Sequence, residues 1–236
     1  MSPATSSAAS GSGARTCVFA AAFLSGAAVM SLEMAGFRLV QPEFGSDIIV
    51  WGSLISVFLG GLALGAWAGG RLADIRPALW KLGAILAAAG FVALLLPLYS
   101  GAVLQWTFPA AWAPTPVEWS APGAESGLRV YMPPDLRWPA LAAGALLFGL
   151  PALILGMVTP YAVKLRVRAM PNLGAGVGLI SGVSTLGGIT GTLGTAFYLV
   201  SWMGTRLLFA SNGIVLLVAG LALIVVDRLA PRTAEE

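Results

Sequence analysis

The hydrophobic positions of the chain fall into six long stretches, and this pattern predicts six membrane-spanning helices. A helix needs about 20 predominantly apolar residues to cross the hydrocarbon core of a bilayer. Five charge-free stretches reach this length, at 48–70, 82–117, 138–163, 169–205 and 207–226. A sixth stretch, 16–40, is interrupted by Glu33 and Arg38. We therefore expect an all-α bundle of six transmembrane helices over residues 16–227.

The segments outside these stretches are polar or rich in proline. Residues 1–15 are rich in Ser, Ala and Gly, so we expect a disordered cytoplasmic tail there, and a second tail over 228–236. Segment 106–137 contains six prolines and three tryptophans. Prolines exclude a regular helix, and tryptophans favour the headgroup layer. This predicts a periplasmic loop lying partly on the membrane, with a docking surface for a partner as the alternative.

Small residues are concentrated in the second and fifth predicted helices. Glycines four residues apart, such as Gly61 and Gly65, let helix backbones approach closely in lipid. We expect helix contacts at six glycines: Gly60, Gly61, Gly65, Gly187, Gly188 and Gly191. Residues 58–61 also resemble 185–188, and this similarity suggests a 3+3 inverted repeat of the kind found in secondary transporters. Chance similarity between two glycine-rich helices is the alternative.

Composition and charge distribution agree with a membrane protein. The chain is 58% hydrophobic and 10% charged, with a mean hydropathy of +0.87. If the N-terminus is cytoplasmic, nine Lys and Arg residues fall on the cytoplasmic side and four on the outer side. Cytoplasmic loops carry an excess of Lys and Arg, so both termini are predicted to be cytoplasmic. The net charge of +3 follows the membrane and does not indicate nucleic-acid binding.

Several kinds of chemistry are excluded by residue content. The chain has one cysteine, Cys17, and no histidine. A disulfide within one chain, a cysteine-based metal cluster and a Ser-His-Asp or Cys-His catalytic arrangement therefore cannot form. We predict no catalytic residue, no metal site and no cofactor, and an intrinsic enzyme is the least favoured function.

Glu33 is the most informative polar residue because an ionised carboxylate inside a membrane helix is costly and normally faces a bundle interior or a cavity. Arg38, five residues later, projects about 140° away on an ideal helix. The two side chains are therefore poorly placed to pair and are expected to reach different neighbours. We predict a substrate- or proton-binding role for Glu33, with Arg38 nearby; exposure to the outer headgroups is the alternative.

The segment Gly70-Arg-Leu-Ala-Asp74-Ile-Arg76 resembles the Gly-x-x-x-Asp-x-Arg loop signature of the major facilitator superfamily. Its position after the second helix, on the predicted cytoplasmic side, agrees with that resemblance. Asp74 and Arg76 are candidates for a conformational latch, and an ordinary charged connection is the alternative.

A larger resemblance covers four of the six helices. Segments 25–39, 58–74, 149–160 and 184–191 are similar to the membrane helices of bacterial membrane-bound spermidine-synthase-like proteins, a fused major facilitator/spermidine synthase family. Ser184 stands where an asparagine is expected. The resemblance implies half of a major facilitator transporter in a bacterial inner membrane. Relatives commonly continue into a Rossmann-like aminopropyltransferase domain, and this sequence contains neither such a unit nor a carboxylate cluster for a polyamine.

Two functions follow as expectations. The chain is a transport-like module in the lipid bilayer, handling polyamines, other small cations or protons, with a homodimer completing a twelve-helix pathway. Alternatively, it is a membrane anchor for a separately encoded soluble synthase-like enzyme, which would dock on Lys164, Arg166 and Arg168. The first function predicts that Glu33 faces a polar cavity, and the second predicts a sealed bundle.

Overall fold

The fold is known from a computed structural model that describes residues 5–75, 77–107, 115–119, 128–132, 136–167 and 173–229. Helices dominate this part of the chain. The elements are α1 (Thr5–Phe44), α2 (Ile48–Asp74), α3 (Leu79–Thr107), β1 (Thr115–Trp119), β2 (Leu128–Met132), α4 (Arg137–Gly156), α5 (Val158–Val167), α6 (Leu173–Gly194), a π-helical segment (Thr195–Leu199), α7 (Val200–Trp202) and α8 (Thr205–Leu229).

Six helical spans are long and apolar enough to cross a membrane, which confirms the predicted all-α six-helix bundle and its multi-pass character. We name them in chain order: TM1 (Arg15–Phe44), TM2 (Ile48–Asp74), TM3 (Leu79–Thr107), TM4 (Arg137–Arg166), TM5 (Gly174–Trp202) and TM6 (Thr205–Leu229). The end of the bundle at which TM1 begins is called the N-face.

Two segments differ from the sequence prediction. Helix α1 already begins at Thr5, within the predicted disordered tail. Within the predicted loop, β1 and β2 pair as an antiparallel hairpin that aligns Thr115 with Met132. Valine, threonine and tyrosine favour strands, and Pro116 is tolerated because both strands of a two-stranded ribbon are edges.

The closest helix contacts join TM1 with TM5, TM2 with TM4 and TM3 with TM6. Glycines make the first two pairs close. At three glycines in each pair, an added Cβ would overlap a backbone carbonyl of the facing helix. In the TM1–TM5 pair these contacts are Gly26 with Ser184, Gly187 with Phe23, and Gly191 with Ala27. In the TM2–TM4 pair they are Gly156 with Leu62, Gly65 with Leu153, and Gly69 with Met157.

The two sets of contacts have identical spacing. Gly26 lies against the carbonyl three residues before Gly187, its facing glycine on TM5. In the same way, Gly156 lies against the carbonyl three residues before Gly65, its facing glycine on TM2. Conversely, Gly187 lies against the carbonyl three residues before Gly26, and Gly65 lies against the carbonyl three residues before Gly156. TM1 therefore corresponds to TM4, and TM2 to TM5. A bundle whose helices alternate in direction makes such three-helix repeats inverted.

The third pair obeys the same relation. Gly83 of TM3 lies against Gly220 of TM6, and Gly90 lies against Gly213. The sequence separation between Gly26 and Gly156 also separates Gly83 from Gly213 and Gly90 from Gly220. The repeat therefore relates TM3 to TM6, and the contacts within this pair are symmetric. A pseudo-two-fold axis thus relates TM1–TM3 to TM4–TM6. It passes near Ser25, whose hydroxyl lies 3.5 Å from the carbonyl of its counterpart, Leu155.

The register of this repeat differs from the sequence similarity that suggested it. The structure matches Gly65, and not Gly60, with Gly187.

Of the six glycines predicted at helix contacts, Gly60 has nothing within 4 Å of an added Cβ, because it projects about 100° away from Gly61 and is exposed. Gly61 lies against Ala152, and Gly188 lies against the side chain of Met30.

This packing predicts unequal effects of alanine at different glycines. Gly65→Ala and its repeat counterpart Gly187→Ala should each lower the free energy of unfolding by roughly 1–3 kcal/mol, because the added methyl group overlaps a carbonyl. Gly60→Ala and Gly182→Ala add a methyl group in open space and should raise the free energy of unfolding by up to about 1 kcal/mol, because alanine favours a helix over glycine. Unfolding titrations in mixed micelles measure all four, and equal losses at all four sites would contradict the contact assignment.

Candidate functional site

A cleft of about 910 Å³ lies on the pseudo-two-fold axis, between TM1, TM2, TM4 and TM5. We call it the axial cleft. Its walls are mostly apolar, and the described residues that line it include no charged side chain. Its polar groups are the hydroxyls of Ser25, Thr159, Ser181, Ser184, Thr185 and Thr192. Such a lining suits an uncharged or amphipathic molecule better than a multiply charged one, since unpaired charge is costly to desolvate.

One wall of the axial cleft is an interrupted helix. TM4 breaks at Met157, between α4 and α5, and Gly156, Thr159 and Pro160 all line the cleft beside this break. Pro160 has no N–H, so the carbonyl of Gly156 lacks its usual donor four residues later. Inverted-repeat transporters place substrate sites near the bilayer midplane, at interrupted helices between the repeats. Sequence reasoning missed this site; the signal that could have found it is Pro160, which interrupts the hydrogen bonds of a helix.

Glu33 lies on TM1, seven residues beyond Gly26 and therefore about 10 Å further along the helix. Its side chain is half-buried and lines neither the axial cleft nor a second, smaller cleft beside Ser31. The prediction that Glu33 faces a polar cavity is therefore not confirmed. No hydrogen bond or ion pair joins it to another residue in the described part of the chain. Arg38 does reach a different neighbour, because its Nη1 donates to the carbonyl of Val200 at 2.7 Å.

A buried polar cluster joins TM1, TM5 and TM6 on the side away from the N-face. Thr195 Oγ1 donates to Ser31 Oγ at 2.7 Å, and Asn212 Nδ2 donates to the same oxygen at 2.9 Å. Both hydroxyl-bearing side chains are buried. Thr195 also starts the π-helical segment, a feature frequent at functional sites. Sequence reasoning missed this cluster, although Asn212 is the one asparagine inside the predicted helices.

The same three side chains line a smaller cleft of about 300 Å³, which we call the lateral cleft. It shares no lining residue with the axial cleft. Thr190 and Ser211 also border it, but their hydroxyls donate to carbonyls of their own helices. The lateral cleft is therefore polar mainly at Ser31 and Asn212.

At the N-face, Tyr161 closes the space between TM4 and the start of TM3. Its side chain is fully buried, and its hydroxyl accepts a hydrogen bond from the N–H of Ala78 at 3.0 Å. The hydroxyl also donates to the carbonyl of Ala78 at 3.2 Å. Ala78 lies just before TM3, where its N–H has no helical acceptor. Its carbonyl also accepts a hydrogen bond from the N–H of Lys81 at 3.2 Å. This contact ties the two helices together where the chain enters TM3.

The predicted latch and docking residues also lie at the N-face. Asp74 pairs with Lys164, which joins the ends of TM2 and TM4. Arg166 lies with its guanidinium carbon 5.6 Å from the ring centre of Phe19. Arg76 and Arg168 lie outside the described residues. A conformational latch through Asp74 would therefore involve Lys164. Docking of a partner on Lys164, Arg166 and Arg168 remains a prediction.

No protein-family model, curated protein or solved structure matches this chain. The similarity to spermidine-synthase-like proteins and to the major facilitator superfamily therefore rests on the sequence segments quoted above.

The Tyr161–Ala78 and Asp74–Lys164 contacts at the N-face should contribute unequally to the free energy of unfolding. Tyr161→Phe should lower the free energy of unfolding by roughly 1–3 kcal/mol, because it leaves the N–H of Ala78 without its hydrogen-bond partner. Asp74→Asn should cost less than about 1 kcal/mol, because the Asp74–Lys164 pair is solvent-accessible. Unfolding titrations of both variants measure the difference; a larger loss for Asp74→Asn would show that the ion pair is the main closure.

Proposed function

We propose that the chain is a transport-like membrane module in which the two inverted repeats alternate in opening the axial cleft to either side of the bilayer. The observation that carries this proposal is the position of the cleft, on the pseudo-two-fold axis and beside the break in TM4. In secondary transporters with inverted repeats, the binding site lies at this place and one repeat rocks against the other.

The differences between the two repeats support a closed N-face. There, Tyr161 is packed and hydrogen-bonded to Ala78, and Asp74 is paired with Lys164. At the counterpart of Tyr161 stands the small residue Ser31, next to the lateral cleft. In the predicted topology the N-face is cytoplasmic, so this arrangement corresponds to a state closed toward the cytoplasm.

The few charges within the membrane-spanning helices restrict the class of cargo that the protein can bind. A polyamine carries several positive charges, whereas no carboxylate lines the axial cleft among the described residues. Glu33 is the single carboxylate deep within the described spans, which fits one proton or one small cation better than a polyamine. We therefore propose proton coupling through Glu33 and an uncharged or amphipathic cargo in the axial cleft.

Cysteine accessibility tests whether water reaches the axial cleft. In a Cys17→Ser background, Ser184→Cys should react with a charged, water-soluble methanethiosulfonate in sealed vesicles, because Ser184 lines the cleft. Leu186→Cys is a matched control at nearly the same depth of TM5, on an exposed position outside the cleft. It should stay unreactive in lipid. Protection of both cysteines from either side of the membrane would contradict the proposed pathway.

Proton coupling gives a second test. Glu33→Gln should abolish proton uptake driven by a membrane potential in proteoliposomes, because the amide cannot carry the proton. Glu43→Gln is the matched control, since Glu43 lies on the same helix but is exposed at its end. A pH-sensitive dye inside the vesicles reports both. Equal uptake by wild type and Glu33→Gln would exclude Glu33 as the proton site.

A further inference from the structure

The place that the pseudo-two-fold axis relates to the lateral cleft is filled by side chains. The offset that relates Gly26 to Gly156 also relates Ser31 to Tyr161. Three other positions that line the lateral cleft are Thr195, Asn212 and Leu216. Their counterparts in the other repeat are Ala73, Leu82 and Leu86, and these three and Tyr161 are all fully buried. The symmetry-related place is thus packed around a tyrosine, whereas the lateral cleft leaves about 300 Å³ open.

The polar groups of the lateral cleft have unused hydrogen-bonding capacity. Asn212 Nδ2 donates to Ser31 Oγ and also to the carbonyl of Leu208 at 2.8 Å. A carbonyl can only accept, so the amide orientation is fixed and Asn212 Oδ1 remains an acceptor. Ser31 accepts two hydrogen bonds, and no described residue accepts its own proton. Both residues line the cleft, and Ser31 is only 5% exposed, so its hydroxyl is shielded from bulk solvent.

We propose that the lateral cleft binds an uncharged, largely apolar molecule that carries one hydroxyl group and has about the size of a tyrosine side chain. The hydroxyl would accept the proton of Ser31 and donate to Asn212 Oδ1, as the hydroxyl of Tyr161 both accepts from and donates to Ala78. The apolar body would lie against Leu24, Ala28 and Leu216. This site is separate from the axial cleft and does not depend on transport.

The size and chemistry of the cleft restrict the ligand to this class. A volume of about 300 Å³ is at the lower end for small-molecule sites. A charged ligand would lose its hydration without a compensating charge, since the described lining is neutral. A purely apolar ligand would leave the Ser31 proton and Asn212 Oδ1 unpaired in a water-poor place, which is unfavourable.

Equilibrium dialysis of p-cresol, the analogue of a tyrosine side chain, tests the proposal on the full chain in lipid nanodiscs. We expect saturable binding of one p-cresol per chain above the linear partitioning measured in empty nanodiscs. Toluene has the same body without the hydroxyl, and we expect it to show the linear partitioning alone. This comparison needs no variant of the protein.

Variants then locate the site. Ser31→Tyr should remove saturable binding by filling the cleft with the side chain found in the other repeat. Asn212→Leu should weaken p-cresol binding roughly tenfold by removing the acceptor, and it serves if Ser31→Tyr fails to fold. Ser56→Ala removes an exposed hydroxyl on TM2 and should leave binding unchanged. Linear uptake by wild type, equal saturable binding of toluene, or unchanged binding in Asn212→Leu would each overturn the proposal.

Discussion

The structure depends on glycines that allow backbone-to-backbone contact between helices. At Gly26, Gly65 and Gly187, a single methyl group would overlap a carbonyl of the facing helix. In lipid there is no hydrophobic force between apolar helices, so close van der Waals packing has to supply association. Because the same glycine spacing occurs in both TM1–TM5 and TM2–TM4, these contacts fix the distance between helices and also the symmetry of the bundle.

Symmetry of the backbone makes the differences in side chains meaningful. At equivalent positions, Tyr161 ties TM4 to TM3, whereas Ser31 takes part in a hydroxyl–amide cluster beside an open cleft. The break in TM4 near Pro160 likewise has no equivalent in TM1, where Met30 occupies the corresponding position. The two repeats thus share one backbone arrangement, while their side chains differ at equivalent positions. An inverted-repeat transporter needs such a frame to have two related states.

The six spans could be predicted from sequence because length and hydropathy suffice for a membrane helix. The register of the repeat could not, because the similarity around Gly60 and Gly61 competes with the contacts actually made by Gly65. Glu33 was singled out as a rare charge, yet the polar side chains that line the clefts are Ser and Thr hydroxyls and the amide of Asn212, which occur within otherwise apolar helices. Ser31 and Thr195 lie on different helices far apart in sequence, so only the fold brings them together. The hairpin at 115–132 was hidden by its prolines.

Disulfide cross-linking of equivalent cysteine pairs tests the inverted repeat most directly. Gly61 and Ala152 are in contact between TM2 and TM4, and the repeat makes Val183 and Ala22 their counterparts between TM5 and TM1. In membranes of a Cys17→Ser background, the pair Gly61→Cys/Ala152→Cys and the pair Ala22→Cys/Val183→Cys should both cross-link with similar efficiency on mild oxidation. Cross-linking of only one pair would show that the two halves do not share one packing arrangement.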